Sequence, residues 1–416
     1  MGPRSLACTL SQEILPQMRA LAETVWRLVR RDKSQTAVHL ISRVLSELDL
    51  TQKEPPPQSR EQRAYLLNLR GVIYAQKGQE ELALVDLAAA HQELPHWPVP
   101  LYNLGLCHKN AQRWEQAAEV LGQALQGVRK QAGRFSSSSV LAGGSGLSRA
   151  VLWNLGIAQT AQGRWTEARE TWQACGVSLP RSGSVDLGLA QLSLPTQGPY
   201  SIERVWVQRL DPARARILSV VRYGAPCQFG DVVLCDSSAQ QSSFCDGLAT
   251  SDTEESEGEE TPSGLVFLQS LEAAGYVLHV VQGGPATPGQ AMALTEKMRE
   301  AGLHIEVWSL TMRLPGSTPP NGEAAPADER GAPLCAGLVL PTGPSSTSSM
   351  RWPDSEGSLS NLDAQHIAER AVATINTTSR ELGMPLYAPT LMAACGDELG
   401  AARHRKALRR GQFGSV

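Results

Sequence analysis

The feature that most limits what this chain can fold into is a pattern of small and large apolar residues recurring every 34 residues. In "AYLLNLRGVIYAQKGQEELALVDLAAAHQELP", which begins at Ala64, the pattern reads Leu67, Gly71, Tyr74, Gly78, Ala83, Leu87, Ala90 and Pro95. The stretch 98–131 repeats it as Leu101, Leu104, Gly105, Ala117, Leu121 and Ala124. A third copy, 149–182, follows after a 17-residue insertion, with Leu152, Leu155, Gly156, Gly163, Ala168, Trp172 and Pro180. A period of this length marks stacked supersecondary units that cannot bury their apolar faces singly. Each copy is expected to form two short amphipathic helices. Gly78 and Gly163 end the first helix where the turn needs positive φ, and Pro95 and Pro180 close the second. Gly71, Gly105 and Gly156 lie mid-helix, where each costs about 1 kcal/mol relative to Ala. Close helix approach opposite Ala83, Ala117 and Ala168 is expected to offset that cost.

These residues resemble the tetratricopeptide repeat family over nearly every defining position of the three copies, about residues 60–182. The resemblance implies an α-helical solenoid whose first helices line a concave, peptide-binding face. Residues 18–51 carry Leu21, Leu28, Ala37 and Ile41 at roughly matching offsets, but Val25 replaces the packing glycine. They read as a degenerate helix pair within an N-terminal region 1–53. The segment "EPPPQS" (54–59) then reads as a stiff spacer. "SVDLGLAQLSL" (184–194) reads as a short amphipathic helix that caps the stack, so that the repeat region spans 60–196.

Carried over by the resemblance, the inward positions are Tyr65, Asn68 and Val72, then Tyr102, Asn103 and Lys109, then Trp153, Asn154 and Thr160. Of these, Tyr65, Asn68, Tyr102, Asn103, Lys109, Trp153 and Asn154 are the candidate partner-binding set. Aromatic rings offer apolar area at low entropic cost, and amides can satisfy a bound peptide's backbone. The alternative reading of Tyr102 and Trp153 is that they pack between neighbouring helices. Asn68 and Val72 stand where the family's carboxylate-gripping members have Lys and Asn, which disfavours a clamp for acidic C-terminal tails. The Ser/Gly-rich loop 131–148 reads as a linker.

From about Tyr200 the composition shifts to β-branched and aromatic runs separated by Pro, Gly and Ser, which marks a second domain, 200–416, of α/β or α+β class. Strands are expected at 203–210, 215–221, 230–236 and 335–341, with a strand, strand, loop, helix, strand order across 265–310. Helices are expected at 288–301, from Asp363 to about Leu382, and over 391–410. The acidic run "SDTEESEGEE" (251–260) reads as a solvated connector. Gly284 to Gly289 has the spacing of a phosphate loop, but Gln290 and Ala291 occupy the places of its Lys and Ser/Thr. Turn chemistry is therefore the better reading of these glycines.

Thirty-eight basic against 41 acidic residues leave a net charge of -3, so no basic field draws the chain to nucleic acid or anionic membrane. The eight cysteines contain no C-x-x-C pair, so neither a zinc site nor a disulfide framework is indicated, and a reducing, cytoplasmic setting is expected. No apolar run is long enough for a secretory core or a membrane span. His279, His304, His366 and His404 are dispersed, and no catalytic, cofactor or metal constellation emerges. The expected function is a non-enzymatic adaptor that binds a protein or peptide. The alternative is an enzyme or small-ligand domain in residues 200–416, regulated by the repeats. The oligomeric state is open.

Overall fold

A computed structural model describes residues 15–50, 57–134, 146–179, 185, 187–196, 202–222, 224–237, 264–308, 332–342 and 364–410. The acidic run 251–260, loop positions 135–145 and Pro180 lie outside the described residues. The chain forms two compact units, one of residues 1–185 with 236–263 and one of 186–235 with 264–416.

The first unit is helical: α1 (Leu15–Arg30), α2 (Ser34–Leu50), α3 (Pro57–Gln76), α4 (Glu80–Glu93), α5 (Val99–Asn110), α6 (Trp114–Arg134), α7 (Gly146–Ala161) and α8 (Trp165–Ala174). Pro57 to Ser59, expected in the spacer, form the first turn of α3 instead, a position that tolerates proline because its missing N–H would be unpaired there anyway. Each helix packs on the next, and the α1–α2 pair joins the array, with Arg70 of α3 donating to Ser42 of α2. All four hairpin turns include a residue with positive φ: Asp32, Gly78, Gln112 and Gly163. Two of the turns thus use the glycines singled out by the repeat, and two place a longer side chain in the left-handed region, at a steric cost.

The mid-helix glycines have the close-packing role expected of them, although the main neighbours are larger than the alanines. A Cβ on Gly71 would lie 2.8 Å from Leu87, one on Gly105 2.6 Å from Leu121, and one on Gly156 2.8 Å from Trp172. Of the alanines, only Ala83 is among these near neighbours, through its carbonyl oxygen at 3.3 Å from the Gly71 position. The missing side chain makes room for a large apolar residue of the second helix.

The second unit opens with a closed barrel of five strands, β1 (Leu189–Pro195), β2 (Ile202–Arg209), β3 (Arg214–Ile217), β4 (Val232–Asp236) and β5 (Leu265–Glu272). The expected capping helix over 184–194 is therefore corrected to strand β1. Its leucines fit either period, and burial of Leu192 and Leu194 beside Val205 and Val207 selects period two. The repeat region accordingly does not run to 196, and the second unit begins before Tyr200.

The remainder of the unit is β6 (Tyr276–Ala286), α9 (Pro288–Glu300), β7 (His304–Val307), β8 (Ala332–Pro341), α10 (Ala364–Glu381), β9 (Leu386–Tyr387), α11 (Pro389–Ala394) and α12 (Glu398–Arg410). Its sheet has the order β7-β8-β6-β9, antiparallel throughout, which with the barrel makes the unit α+β rather than α/β. Leu294, Met298, Ile367 and Ile375 of α9 and α10 join Leu338 and Leu340 in one core. The single helix expected over 391–410 is two, broken at Gly396, whose φ is 78°. Gly284 lies within β6, and α9 opens on a capping box between Thr287 and Gln290. That box satisfies backbone donors that a phosphate loop would offer to an anion.

Candidate functional site

The candidate positions lie on α3, α5 and α7, the first helix of each repeat, and all seven are buried. Burial of Tyr102 and Trp153 agrees with the alternative reading, in which they pack between neighbouring helices. Tyr65 packs on Trp97 with ring centroids 6.3 Å apart. The Asn103 amide donates to the Asn68 side-chain oxygen at 2.9 Å, linking the first and second repeats. Asn154 donates to the Ala150 carbonyl of its own helix, and Tyr102 is enclosed. Two further inward positions, Val72 and Thr160, are buried as well, and Thr160 bonds to the Gly156 carbonyl. A large amphipathic side chain on the first helix of a repeat is here a packing element first.

Lys109 and Trp153 converge on one group. Lys109 Nζ lies 3.0 Å from Asp236 Oδ2, and Trp153 Nε1 donates to Asp236 Oδ1 at 2.9 Å. Asp236 is the last residue of β4 and already belongs to the helical unit. Lys109 is only 3% exposed. Burial pushes its pKa down, while the charge of Asp236 and its hydrogen bond oppose that shift. Trp172 meets Trp153 edge-on at 5.0 Å and holds the indole in place. The result is an enclosed carboxylate-binding position built by two successive repeats and filled by the chain's own aspartate. Sequence reasoning named Lys109 and Trp153 but missed Asp236, because "GDVVLCD" carries only the signal of a strand.

The cysteines and histidines show where chemistry is suppressed. Burial pushes the Cys107 and Cys227 thiols up to about 12 and raises those of Cys175, Cys335 and Cys395. These groups are protonated near neutrality and are poor nucleophiles. His279 lies 3.4 Å from the Thr390 hydroxyl, and His404 accepts from the Ala388 N–H. His304 packs on Phe229 with centroids 4.7 Å apart. Among the described residues no group of three or more His, Cys, Asp or Glu is placed to hold a metal, and no helix is long and apolar enough to cross a membrane.

Residues 101–126 and 150–182 match the family model described as Tetratricopeptide repeat. No curated protein matches the chain. The first matched segment starts in α5 and ends in α6, and the second covers most of α7 and all of α8. The copy at 64–97, outside both matches, has the same paired helices and, like 101–126, a glycine-to-leucine contact. The segments 101–126 and 150–182 of this chain are therefore tetratricopeptide repeats.

Proposed function

We propose that the chain is a non-catalytic adaptor that binds a protein or peptide partner through its tetratricopeptide repeats. The observation that carries this reading is the enclosed pair Lys109 and Trp153 on successive inner helices, bound to a carboxylate. Side chains spaced along stacked helices are suited to gripping a polypeptide, and here one such grip is taken by Asp236. A partner on these helices therefore either displaces that carboxylate or uses exposed positions of the same helices, such as Asn110 on α5 and Arg149 on α7.

The full chain is the proper bait, since the helical unit includes residues 236–263 and a fragment ending near 196 would lack Asp236. A photo-crosslinking residue placed at Asn110 or Arg149, with a control at exposed Arg299 on α9, tests the reading in cell extract. Partner adducts from Asn110 or Arg149 and none from Arg299 support it. Adducts from Arg299 alone move the binding function to the second unit.

A further inference from the structure

The barrel carries a surface that the repeats do not explain. Along β1, β2 and β3, alternate residues point into the barrel core and away from it. The outward set is unusually apolar: Leu189 is 67% exposed, Ile202 60% and Trp206 52%, and Val266 on β5 is 49% exposed. Register brings them together. Trp206 lies opposite Gln191, Arg204 opposite Ser193, and Ser193 opposite Val266, while Leu189 and Arg216 flank Gln208 on its two sides. Leu189 on β1 and Ile202, Arg204 and Trp206 on its neighbour β2 lie along about 20 Å of wall at about 3.4 Å per residue, while Val266 on β5 and Arg216 on β3 lie where the closed barrel curves away on either side.

The charge on this face has one sign. The outward positions of β1, β2 and β3 include Arg204, Arg214 and Arg216 and no Asp or Glu. Arg214 is paired with Asp211. Arg204 is exposed, and the Nε of Arg216 is enclosed without a hydrogen-bond acceptor. The planar guanidinium of exposed Arg204 matches the geometry of a carboxylate. The barrel is closed, so the wall has no free strand edge to which a peptide could add by backbone pairing. An occupant must be recognised by its side chains.

We infer that this face is a docking surface for a polypeptide segment that combines acidic with large apolar side chains. Carboxylates meet Arg204 and Arg216, and apolar groups cover Trp206 and its aliphatic neighbours. Nucleic acid fits less well: three of the four exposed apolar residues are aliphatic and offer no stacking platform. The inference is independent of what the repeats bind.

The test uses the full chain and fluorescence anisotropy with a short fluorescein-labelled peptide of Leu, Phe, Asp and Glu. Its counterpart has Lys in place of each acid, and oligothymidylate is the third probe. Saturable binding of the acidic peptide is expected, at least about tenfold tighter than that of the Lys peptide. Arg204→Glu and Trp206→Ala should each weaken it by about fivefold or more. Both positions are exposed, which favours retention of the fold, and circular dichroism checks it; Arg299→Glu on α9 should change nothing. Equal affinity for the two peptides, binding insensitive to both substitutions, or tighter binding of oligothymidylate overturns the inference. So does a wild-type chain that ignores the peptide and instead self-associates in a Trp206-dependent way.

Discussion

The two units satisfy their buried charges in different ways. In the helical unit the backbone amides within helices are already used, so a buried charged side chain finds its partner in another side chain. Arg70 makes two bonds to the Asp86 carboxylate, and Lys109 relies on Asp236. In the second unit, turns and strand ends leave backbone N–H groups free. Asp231 accepts from the N–H of Gln228 and of Ala274, Glu306 from that of Val220, and Glu203 from that of Arg222. Helical charges therefore depend on one another in pairs. In the second unit Asp231 and Glu306 lean on backbone donors, which an amide could also use, while Asp211 and Glu203 combine backbone donors with an arginine partner.

Breaking a pair in the helical unit should have the largest effect. Asp236→Ala leaves Lys109 buried without its carboxylate and should cost about 3 to 5 kcal/mol, read by chemical denaturation. Replacing both partners, Lys109→Met with Asp236→Leu, should recover part of that loss, because no buried charge remains although the Trp153 indole N–H loses its acceptor. An Asp236→Ala variant as stable as the parent would remove the contrast between the units.

Acid offers the next measure, in the second unit. Burial pushes the His304 pKa down to about 4 from its ordinary 6.5. Its neutral ring therefore contributes stability that is complete above pH 6.5 and is lost as pH falls toward 4. At 1.36 kcal/mol per pKa unit the loss is at most about 3 kcal/mol. His304→Phe keeps an aromatic ring against Phe229 and should flatten the stability profile across that window. A variant with the same acid dependence as the parent would assign it elsewhere.

Packing gives a smaller effect. Gly105→Ala brings a methyl within 2.6 Å of Leu121 and should lower stability by about 1 to 3 kcal/mol, visible as a reduced melting temperature. An unchanged melting temperature would show that Leu121 moves aside freely.

Glu306→Gln is the counterpart of Asp236→Ala and should change stability by less than about 1 kcal/mol, because the amide oxygen still accepts from Val220. Burial raises the Glu306 pKa, so at neutral pH the substitution also removes a charge that is costly to keep. A loss as large as that of Asp236→Ala would refute the comparison directly. The smallest effect is a gain: Gln112→Gly relieves a φ of 56° and should stabilise the α5–α6 turn by up to about 1 kcal/mol.

The repeats were legible because their constraints are local and recur. Each Gly at the helix crossing and each Gly or Pro at a helix end answers to neighbours within about one repeat, so a single period exposes them all. The strands and helices of the second unit were largely visible from alternation and turn residues, but not the stretch at Leu189 to Pro195, whose leucines suit either period. The candidate site was half legible. Lys109 and Trp153 follow from their places on the first helices of two repeats, whereas their burial and their carboxylate do not.

By itself, then, the sequence determined the repeat, its helix pairs, the close-packing glycines Gly71, Gly105 and Gly156, and the change of composition that marks a second unit, whereas the structure decided that Leu87, Leu121 and Trp172 are what those glycines admit. Tertiary structure alone decided that β1 is a strand, that the barrel closes, and that Trp206 and Arg216 share an outward face. It also decided that Asp236, 127 residues beyond Lys109, fills the position between two repeats. The physical reason is range: turns and helix periods are written in neighbouring residues, whereas a buried ion pair or a barrel wall joins residues whose separation along the chain leaves no mark in either segment.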